Sequence, residues 1–476
     1  MSDLINWRNE ILNSVGPGFC AAKWYNASIH LGSGYTGSCH LPLPHLIDEE
    51  EIKNNPSALH NTKHKKEVRK LMLEGKRPAE CGYCWKIEDI ARNNESDRIY
   101  KSVIYSDKDI EKIKSMPWDS DVDLKTLEIS FDKQCNFACS YCSAGYSTTW
   151  SQDLAKHGAY QNFIAPGGGG GAYQTDGDWA EEHGKHFDDN PYMRAFFAWW
   201  PKLSQSLNEL RITGGEATVS QNFWRFVELM HSSDAKNMRF AVNSNLGMSD
   251  KALEKLIKIT HTLPIKEFDL FTSNESFGAH AEYIRDGLIY SQWRKNLVTF
   301  LEEAKYRTVT IMMTINQLCL FSITEFLDDM LELKCKYGVS PYLSFNMLRW
   351  PAFMSPLVLP DQIKKDLHVK IGSWLEKNKN NKHLGESEKA QIKRLLDYIE
   401  VLDKGHVMVT EDKSLLFHDF KSFFMQYDKR RNKKIVETFP EIKDWYESIK
   451  VNQVFPIKEL DIKAGITPHE VGEYKD

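Results

Sequence analysis

The sequence predicts an α/β protein with three parts: an N-terminal cysteine-rich module, a central partial (β/α)6 TIM-like barrel and a helical C-terminal region. Six β-rich segments alternate with amphipathic helical patterns between residues 121 and 350, as in a parallel sheet with helical crossovers. Seven of the nine cysteines lie in the first third of the chain, and charged helical patterns follow Pro351. We therefore place the module at residues 1–120, the barrel at 121–350 and the helical region at 351–476.

Composition excludes several functional classes. The chain has 476 residues, 41% hydrophobic and 27% charged, with a net charge of -5, so it lacks the basic footprint of a nucleic-acid-binding protein. No apolar run reaches the roughly 18 residues of a membrane helix, and the N-terminus lacks the apolar core of a secretory signal. We expect a cytoplasmic protein, in which closely spaced cysteines are more often metal or cluster ligands than disulfides.

The six predicted strands are short segments whose carboxyl ends should carry the site. They begin at Thr126, Leu207, Asn237, Lys266, Arg307 and Ser340. A long insertion, residues 143–206, separates the first two strands and contains five consecutive glycines, Gly167–Gly171. We predict that this insertion is a mobile lid over the barrel mouth, and that His183 and His186 within it are solvated.

Three cysteines follow the first strand within eight positions, in the segment "FDKQCNFACSYCSAG". A four-iron cluster held by Cys135, Cys139 and Cys142 would keep one iron without a protein ligand. An open coordination position is how a metal site binds a substrate. The alternatives are a chance group of buried thiols and a zinc site that takes a distant fourth ligand.

This segment resembles the CxxxCxxC signature of radical S-adenosylmethionine (SAM) enzymes, including the aromatic Tyr141 before the last cysteine. The resemblance implies a [4Fe–4S] cluster whose open iron binds S-adenosyl-L-methionine. An electron, from a flavodoxin- or ferredoxin-type donor, then cleaves SAM to a 5′-deoxyadenosyl radical that abstracts hydrogen from the substrate. The implied cytoplasmic enzyme is an oxidoreductase-type catalyst.

The same resemblance implies SAM contacts at the ends of three further strands. Gly214, Gly215 and Glu216 match a GGE motif that receives the SAM amino group, and glycines suit a tight turn near a ligand. The other expected SAM contacts are Asn243, Ser244 and Asn245 at the ribose, and Ser273 and Arg285 at the carboxylate. Glu275 stands where the family commonly has Asp. The alternative is an ordinary turn and polar loops.

The N-terminal cysteines resemble a SPASM/twitch module, which holds an auxiliary iron–sulfur cluster. Thirteen residues separate Cys20 from Gly34 and four separate Gly34 from Cys39, and the pair Cys81 and Cys84 follows. Four thiolates can close a second [4Fe–4S] site, although this module precedes the barrel instead of following it. The resemblance implies electron transfer at this cluster. A four-cysteine zinc site is the alternative.

Four other residues are expected to have no role in the chemistry. Cys319 and Cys335 fit no cluster spacing, and we predict that both are packed thiols. His60 and His64 lie four apart among lysines, which is typical of an exposed helical face.

The substrate is predicted only by analogy with related enzymes. Modification of a peptide is expected, because SPASM/twitch enzymes most often do this. Oxidation of a small molecule, an alcohol or an amine, is the alternative, because the cysteine module fills the first 100 residues, where a peptide-binding domain often lies. A different class is also open, namely a non-enzymatic binding protein with two structural metal sites.

Overall fold

The computed structural model describes residues 3–91, 94–174, 189–338, 340–400, 413–451 and 471–474. It has eleven strands within these residues. They are β1 Asn26–His30, β2 Tyr35–Gly37, β3 His45–Leu46, β4 Thr126–Ser130, β5 Ala138–Cys139, β6 Glu209–Thr213, β7 Arg239–Ser244, β8 Glu267–Ser273, β9 Arg285–Asp286, β10 Thr308–Ile315 and β11 Tyr342–Met347.

Helices surround these strands and dominate the two ends of the described chain. The α-helices are α1 Asp3–Trp7, α2 Ala22–Tyr25, α3 Glu49–Asn54, α4 Lys63–Leu73, α5 Gly82–Ile90, α6 Asp97–Val103, α7 Asp107–Lys114, α8 Thr148–His157, α9 Pro191–Leu203, α10 Gln221–Met230, α11 Asp250–Thr262, α12 Gly278–Ile284, α13 Tyr290–Glu303, α14 Ile323–Tyr337, α15 Asp361–Asn378, α16 Glu386–Glu400, α17 Lys413–Arg431, α18 Ile435–Thr438 and α19 Lys443–Ser448. A π-helical turn covers Arg8–Leu12, and 3₁₀ turns cover Pro56–Leu59, Ala79–Cys81, Gly170–Tyr173, Ala217–Val219, Cys319–Phe321, Ala352–Met354, Pro356–Val358 and Pro440–Ile442.

Nine of these strands form one sheet in the order β11-β10-β8-β7-β6-β4-β1-β2-β3. The strands from β11 to β1 pair in parallel, and β2 and β3 add an antiparallel hairpin. The predicted α/β class and all six predicted strands are confirmed as members of a parallel sheet. Curvature of this sheet into a partial barrel stays a prediction.

The N-terminal region contributes a strand to the sheet of the central region. Strand β1 pairs in parallel with β4, with Asn26 opposite Thr126 and His30 opposite Ser130. The loop that carries Cys39 and the loop that carries Cys135 therefore leave the same sheet. The predicted division at residue 120 separates two sequence segments that share this sheet.

The C-terminal helices cover the outer edge of the sheet and pack beneath the cysteine loop. On α16, Glu388 and Gln391 accept hydrogen bonds from the backbone N–H groups of Leu343 and Phe345 in the edge strand β11. These side chains thus accept hydrogen bonds from backbone N–H groups that no described neighbouring strand pairs with at this edge of the sheet. Helix α17 packs its aromatic side chains against the beginning of the insertion. None of the described helices is both long enough and apolar enough to span a membrane.

The described part of the predicted lid is packed rather than free. Tyr160 and Tyr173 are buried and contact Phe423 of α17 at ring-centroid distances of 5.0 and 4.6 Å. Within the glycine run, Gly170 is buried against Phe163, and the carbonyl of Gly168 accepts a hydrogen bond from Ala352. His183 and His186 lie outside the described residues.

Candidate functional site

The three-cysteine loop is held between a short sheet and the first turn of α8. Cys139 in β5 pairs antiparallel with Arg285 in β9. The side chains of Thr149 and Trp150 donate hydrogen bonds to the carbonyl oxygens of Cys135 and Cys139, at 2.6 and 3.0 Å. The loop conformation is thus fixed by its own helix, and the start of the insertion is part of the site's framework.

The three thiols lie close together and are only partly exposed. Burial raises the pKa of Cys135 and of Cys142, and it raises the pKa of Cys139 to about 12 although Arg285 opposes that shift. A guanidinium nitrogen of Arg285 lies 3.8 Å from the Cys139 sulfur. Because bound thiols must lose their protons, such buried thiolates need nearby positive charge, which iron and Arg285 can supply.

Arg285 forms an ion pair with a buried carboxylate. It pairs with Glu275 at 2.5 Å, and the Arg285 and Glu275 side chains are 5% and 0% exposed. Tyr141 donates a hydrogen bond to the same carboxylate at 3.2 Å. Ser273 ends β8, and its hydroxyl makes no hydrogen bond among the described residues. The carboxylate role predicted for Ser273 and Arg285 stays a prediction.

The Gly214–Glu216 loop packs directly on the backbone that precedes Cys135. The Glu216 N–H donates to the carbonyl oxygen of Gln134 at 2.6 Å. Gly214 has a φ of 123°, which favours glycine, and a Cβ on Gly215 would overlap the Gln134 carbonyl. The sequence Gly-Gly is required here because two backbone segments touch.

The Glu216 carboxylate is buried and braces the next strand. Its oxygens accept hydrogen bonds from Thr218, from the Ser244 hydroxyl at 2.8 Å and from the Asn245 N–H at 2.5 Å. Burial raises the pKa of Glu216, and these hydrogen bonds oppose the shift. The sequence did not predict that the Glu216 carboxylate accepts hydrogen bonds from three neighbouring residues within the protein.

Asn243 and Asn245 behave differently at the end of β7. Asn245 donates through its amide to the side chain of Asn136 at 2.8 Å, so it ties β7 to the cysteine loop. The Asn243 side-chain oxygen is buried and has no hydrogen-bond partner among the described residues. A buried acceptor without a partner is costly, and a hydroxyl of a bound nucleoside would satisfy it.

A cavity of about 240 Å³ opens beside these loops. It is lined by β1, β4 and β6 near their carboxyl ends, where parallel α/β sheets bind ligands. The lining residues are His30, Gly32, Ser33, Glu128, Ser130, Asp132, Lys133, Gly145, Tyr146, Thr213, Gly214 and Gly215. Sequence reasoning missed His30 and Glu128, because nothing local shows that β1 lies next to β4.

A second, smaller pocket brings together the four N-terminal thiols. Its lining includes Cys20, Cys39, Cys81 and Cys84, together with Lys23. Burial raises the pKa of Cys39 and Cys81, and raises that of Cys84 to about 12. The structure therefore brings together the four cysteines that their spacing grouped, and their role as cluster ligands stays a prediction.

The lining of this pocket suits an anionic cluster. The Ser38 hydroxyl, next to Cys39, is buried and has no hydrogen-bond partner among the described residues, so it can donate to a sulfur. No group of three or more His, Cys, Asp or Glu side chains in the described chain is arranged to hold one metal ion. A four-iron cluster does not require such convergence, because each thiolate binds a different iron.

The predictions for His60 and His64 were wrong. His60 is fully buried, with its Nε2 2.8 Å from the Trp24 carbonyl oxygen and 2.8 Å from the Arg69 guanidinium. His64 is partly buried and binds Glu80 at 2.7 Å. The neighbouring lysines suggested a solvated face, but α4 packs against α2, and Lys65 is itself buried.

The two cysteines outside the clusters differ from each other. Cys319 is buried, as predicted, and its thiol donates to the Asn316 carbonyl oxygen at 3.0 Å. Cys335 is exposed, so the prediction of a packed thiol was wrong there. The preceding Leu333 and Lys334 are buried, so Cys335 lies on the side of α14 that faces away from the core.

No protein-family model matches the chain, and no curated protein matches it. Among solved structures, it is similar to native anSMEcpe with bound AdoMet and the Cp18Cys peptide, at 12% identity and a TM-score of 0.34. That match covers 54% of this chain and 61% of the other, so the chain spans about three fifths of that protein's length. It is also similar to Streptococcus suis SuiB bound to S-adenosylmethionine, at 12% identity and a TM-score of 0.32, covering 74% of this chain and 68% of that one.

Proposed function

We propose that this protein is a radical SAM enzyme with an auxiliary [4Fe–4S] cluster. The observation that carries the proposal is the direct backbone contact between Gln134, the residue before Cys135, and the Gly214–Glu216 loop at the carboxyl ends of adjacent strands. When bound, the cluster and SAM supply a 5′-deoxyadenosyl radical that removes a hydrogen atom from substrate.

The residues of this chain would position the ligands and exclude water. Cys135, Cys139 and Cys142 would hold the cluster, while Tyr141 and the Arg285–Glu275 pair form the buried wall behind it. The backbone of Gly214 and Gly215 lines the cavity and would face the SAM amino group, whereas Glu216 would act by bracing Ser244 and Asn245. Asn243 would accept from the ribose.

We further propose that Cys20, Cys39, Cys81 and Cys84 hold a closed cluster for electron transfer. A site with four thiolates for four irons has no open corner for substrate. When bound, this cluster would supply an acceptor for one electron as the substrate is oxidised. A flavodoxin- or ferredoxin-type partner would donate the electron needed for SAM cleavage.

The proposed substrate is a peptide, and oxidation of a small alcohol or amine is the alternative outcome. The proposal of a peptide is supported by the resemblance of the N-terminal cysteines to SPASM/twitch enzymes, which most often modify peptides. Incubation of the reconstituted enzyme with SAM and candidate peptides, followed by mass spectrometry, distinguishes the two classes.

The decisive experiment is anaerobic reconstitution with iron and sulfide, followed by reduction with dithionite in the presence of SAM. The wild type should form 5′-deoxyadenosine, and the Cys135→Ala, Cys139→Ala, Cys142→Ala triple variant should form none. Cys335→Ala is the matched control, because that thiol is exposed and distant in sequence from both cysteine groups, and it should retain activity. A wild type that binds its cluster but never cleaves SAM would support the non-enzymatic binding protein instead.

A further inference from the structure

The pocket of the four N-terminal thiols contains a buried lysine. Lys23 lies on α2, is 2% exposed and lines the pocket beside the cysteines. Its ammonium pairs with Glu80, the residue directly before Cys81. A lysine is seldom buried to this degree unless its charge is compensated.

Other basic side chains lie near Lys23, and Glu80 is shared with one of them. The same carboxylate also binds His64 at 2.7 Å. Arg69 is fully buried, and its guanidinium donates a hydrogen bond to the Lys23 carbonyl oxygen at 2.9 Å. Lys65 is also buried, and it reaches the Thr36 hydroxyl at 2.7 Å but no carboxylate among the described residues.

Lys23 faces the same space as the four thiols. Its buried side chain and the four cysteines line one small pocket. The ammonium therefore lies at the place where a cluster would carry its negative charge.

We propose that Lys23 is a positioning residue that raises the reduction potential of the auxiliary cluster. Adding one electron makes the cluster more negative, and a nearby buried cation stabilises that reduced form. The electron would come from the substrate radical, which is oxidised as the auxiliary cluster is reduced. This inference rests on the auxiliary cluster in the proposed function, because a zinc site would have no such potential.

The test is an EPR-monitored redox titration of full-length protein in which Cys135, Cys139 and Cys142 are Ala, so that only the N-terminal cluster remains. Lys23→Met should shift the midpoint potential to a more negative value. Glu80→Gln should shift it to a more positive value, because it removes a negative charge from the same pair. Lys101→Met is the matched control: Lys101 lines the pocket but is partly exposed, so solvent screens it and its shift should be smaller.

The outcomes separate the inference from the proposed function. If the background protein reconstitutes no redox-active cluster, or binds zinc, the auxiliary cluster is wrong and the inference falls with it. If the cluster forms but Lys23→Met and Glu80→Gln leave the midpoint unchanged, or shift it in the same direction, only the role of Lys23 is wrong. If Lys23→Met does not fold, Lys23→Gln, which keeps a polar side chain at that position, replaces it and should show the same negative shift.

Discussion

The backbone N–H of Glu216 donates a hydrogen bond to the carbonyl oxygen of Gln134 at 2.6 Å. This bond joins the turn after β6 to the residue that precedes Cys135. The Gly214–Glu216 loop and the three-cysteine loop are thereby one unit, and disturbing either should disturb both.

Gly215→Ala should damage this unit. A Cβ at position 215 would overlap the carbonyl oxygen of Gln134, which is backbone and cannot rotate away. Overpacking of this kind costs about 1–3 kcal/mol of the free energy of unfolding. We expect a lower unfolding midpoint and weaker SAM cleavage after reconstitution.

The control for that change is Gly171→Ala. A Cβ at Gly171 meets no atom within 4 Å, so both the unfolding midpoint and SAM cleavage should stay at the wild-type values. Equal behaviour of the two alanine variants would show that the contact with Gln134 does not constrain the loop.

Glu275→Ala should be strongly destabilising. It would leave the Arg285 guanidinium buried without its carboxylate, and loss of one partner of a buried pair typically costs about 3–5 kcal/mol. Urea unfolding measures this change. The control is Glu302→Ala, which breaks an exposed pair with Lys336 and should leave the free energy of unfolding essentially unchanged.

The stability of the protein should fall as the pH drops below about 6.5, in part because of His45. Burial, then the neighbouring His64 and Lys65, lower the pKa of His45 to about 2. The unfolded chain therefore takes up a proton near pH 6.5 that the folded chain does not, so this contribution is full above pH 6.5 and lost as the pH decreases toward 2.

His45→Asn tests that assignment. Between pH 6 and pH 4 the free energy of unfolding of the wild type should fall more steeply than that of the variant, by about 1.4 kcal/mol per pH unit, the value for one proton. Urea titrations at several pH values measure both slopes. Parallel slopes would mean that His45 is protonated in the folded state.

The sequence was informative where pattern is local. The six central strands could be predicted because each alternates or is β-rich, and the cysteine groups could be assigned from spacing. Strand β1, Asn26–His30, was missed although its five residues alternate between polar and apolar, because the segment is short and its place depends on pairing with distant Thr126–Ser130. Burial of His60 likewise depends on Arg69 and Trp24, which no local pattern connects.

Removal of residues 471–476 should loosen the N-terminal site. The Gly472 carbonyl oxygen accepts from the Ala79 N–H at 2.8 Å, and the Tyr474 N–H donates to the Arg77 carbonyl oxygen at 2.7 Å. These contacts hold the segment that leads into Cys81. In protein lacking the other cluster, an iron chelator should remove iron from the truncated form faster, and equal rates would show that the contacts are dispensable.

Cys81→Ala with Cys84→Ala separates the two proposed clusters. We expect about four irons per chain, one cluster's content, and continued formation of 5′-deoxyadenosine, because the Cys135–Cys142 loop is intact. Turnover of the true substrate should fail, because the electron acceptor is missing. Normal turnover by this variant would contradict the electron-transfer role.

The central claim is that the Cys135, Cys139 and Cys142 thiolates leave one iron open for SAM. The most direct measurement is the EPR spectrum of the dithionite-reduced Cys81→Ala, Cys84→Ala variant, recorded with and without SAM. We predict a [4Fe–4S] signal whose g values change when SAM is added, because a ligand joins the open iron. A signal that is unchanged by SAM at any concentration would contradict the account.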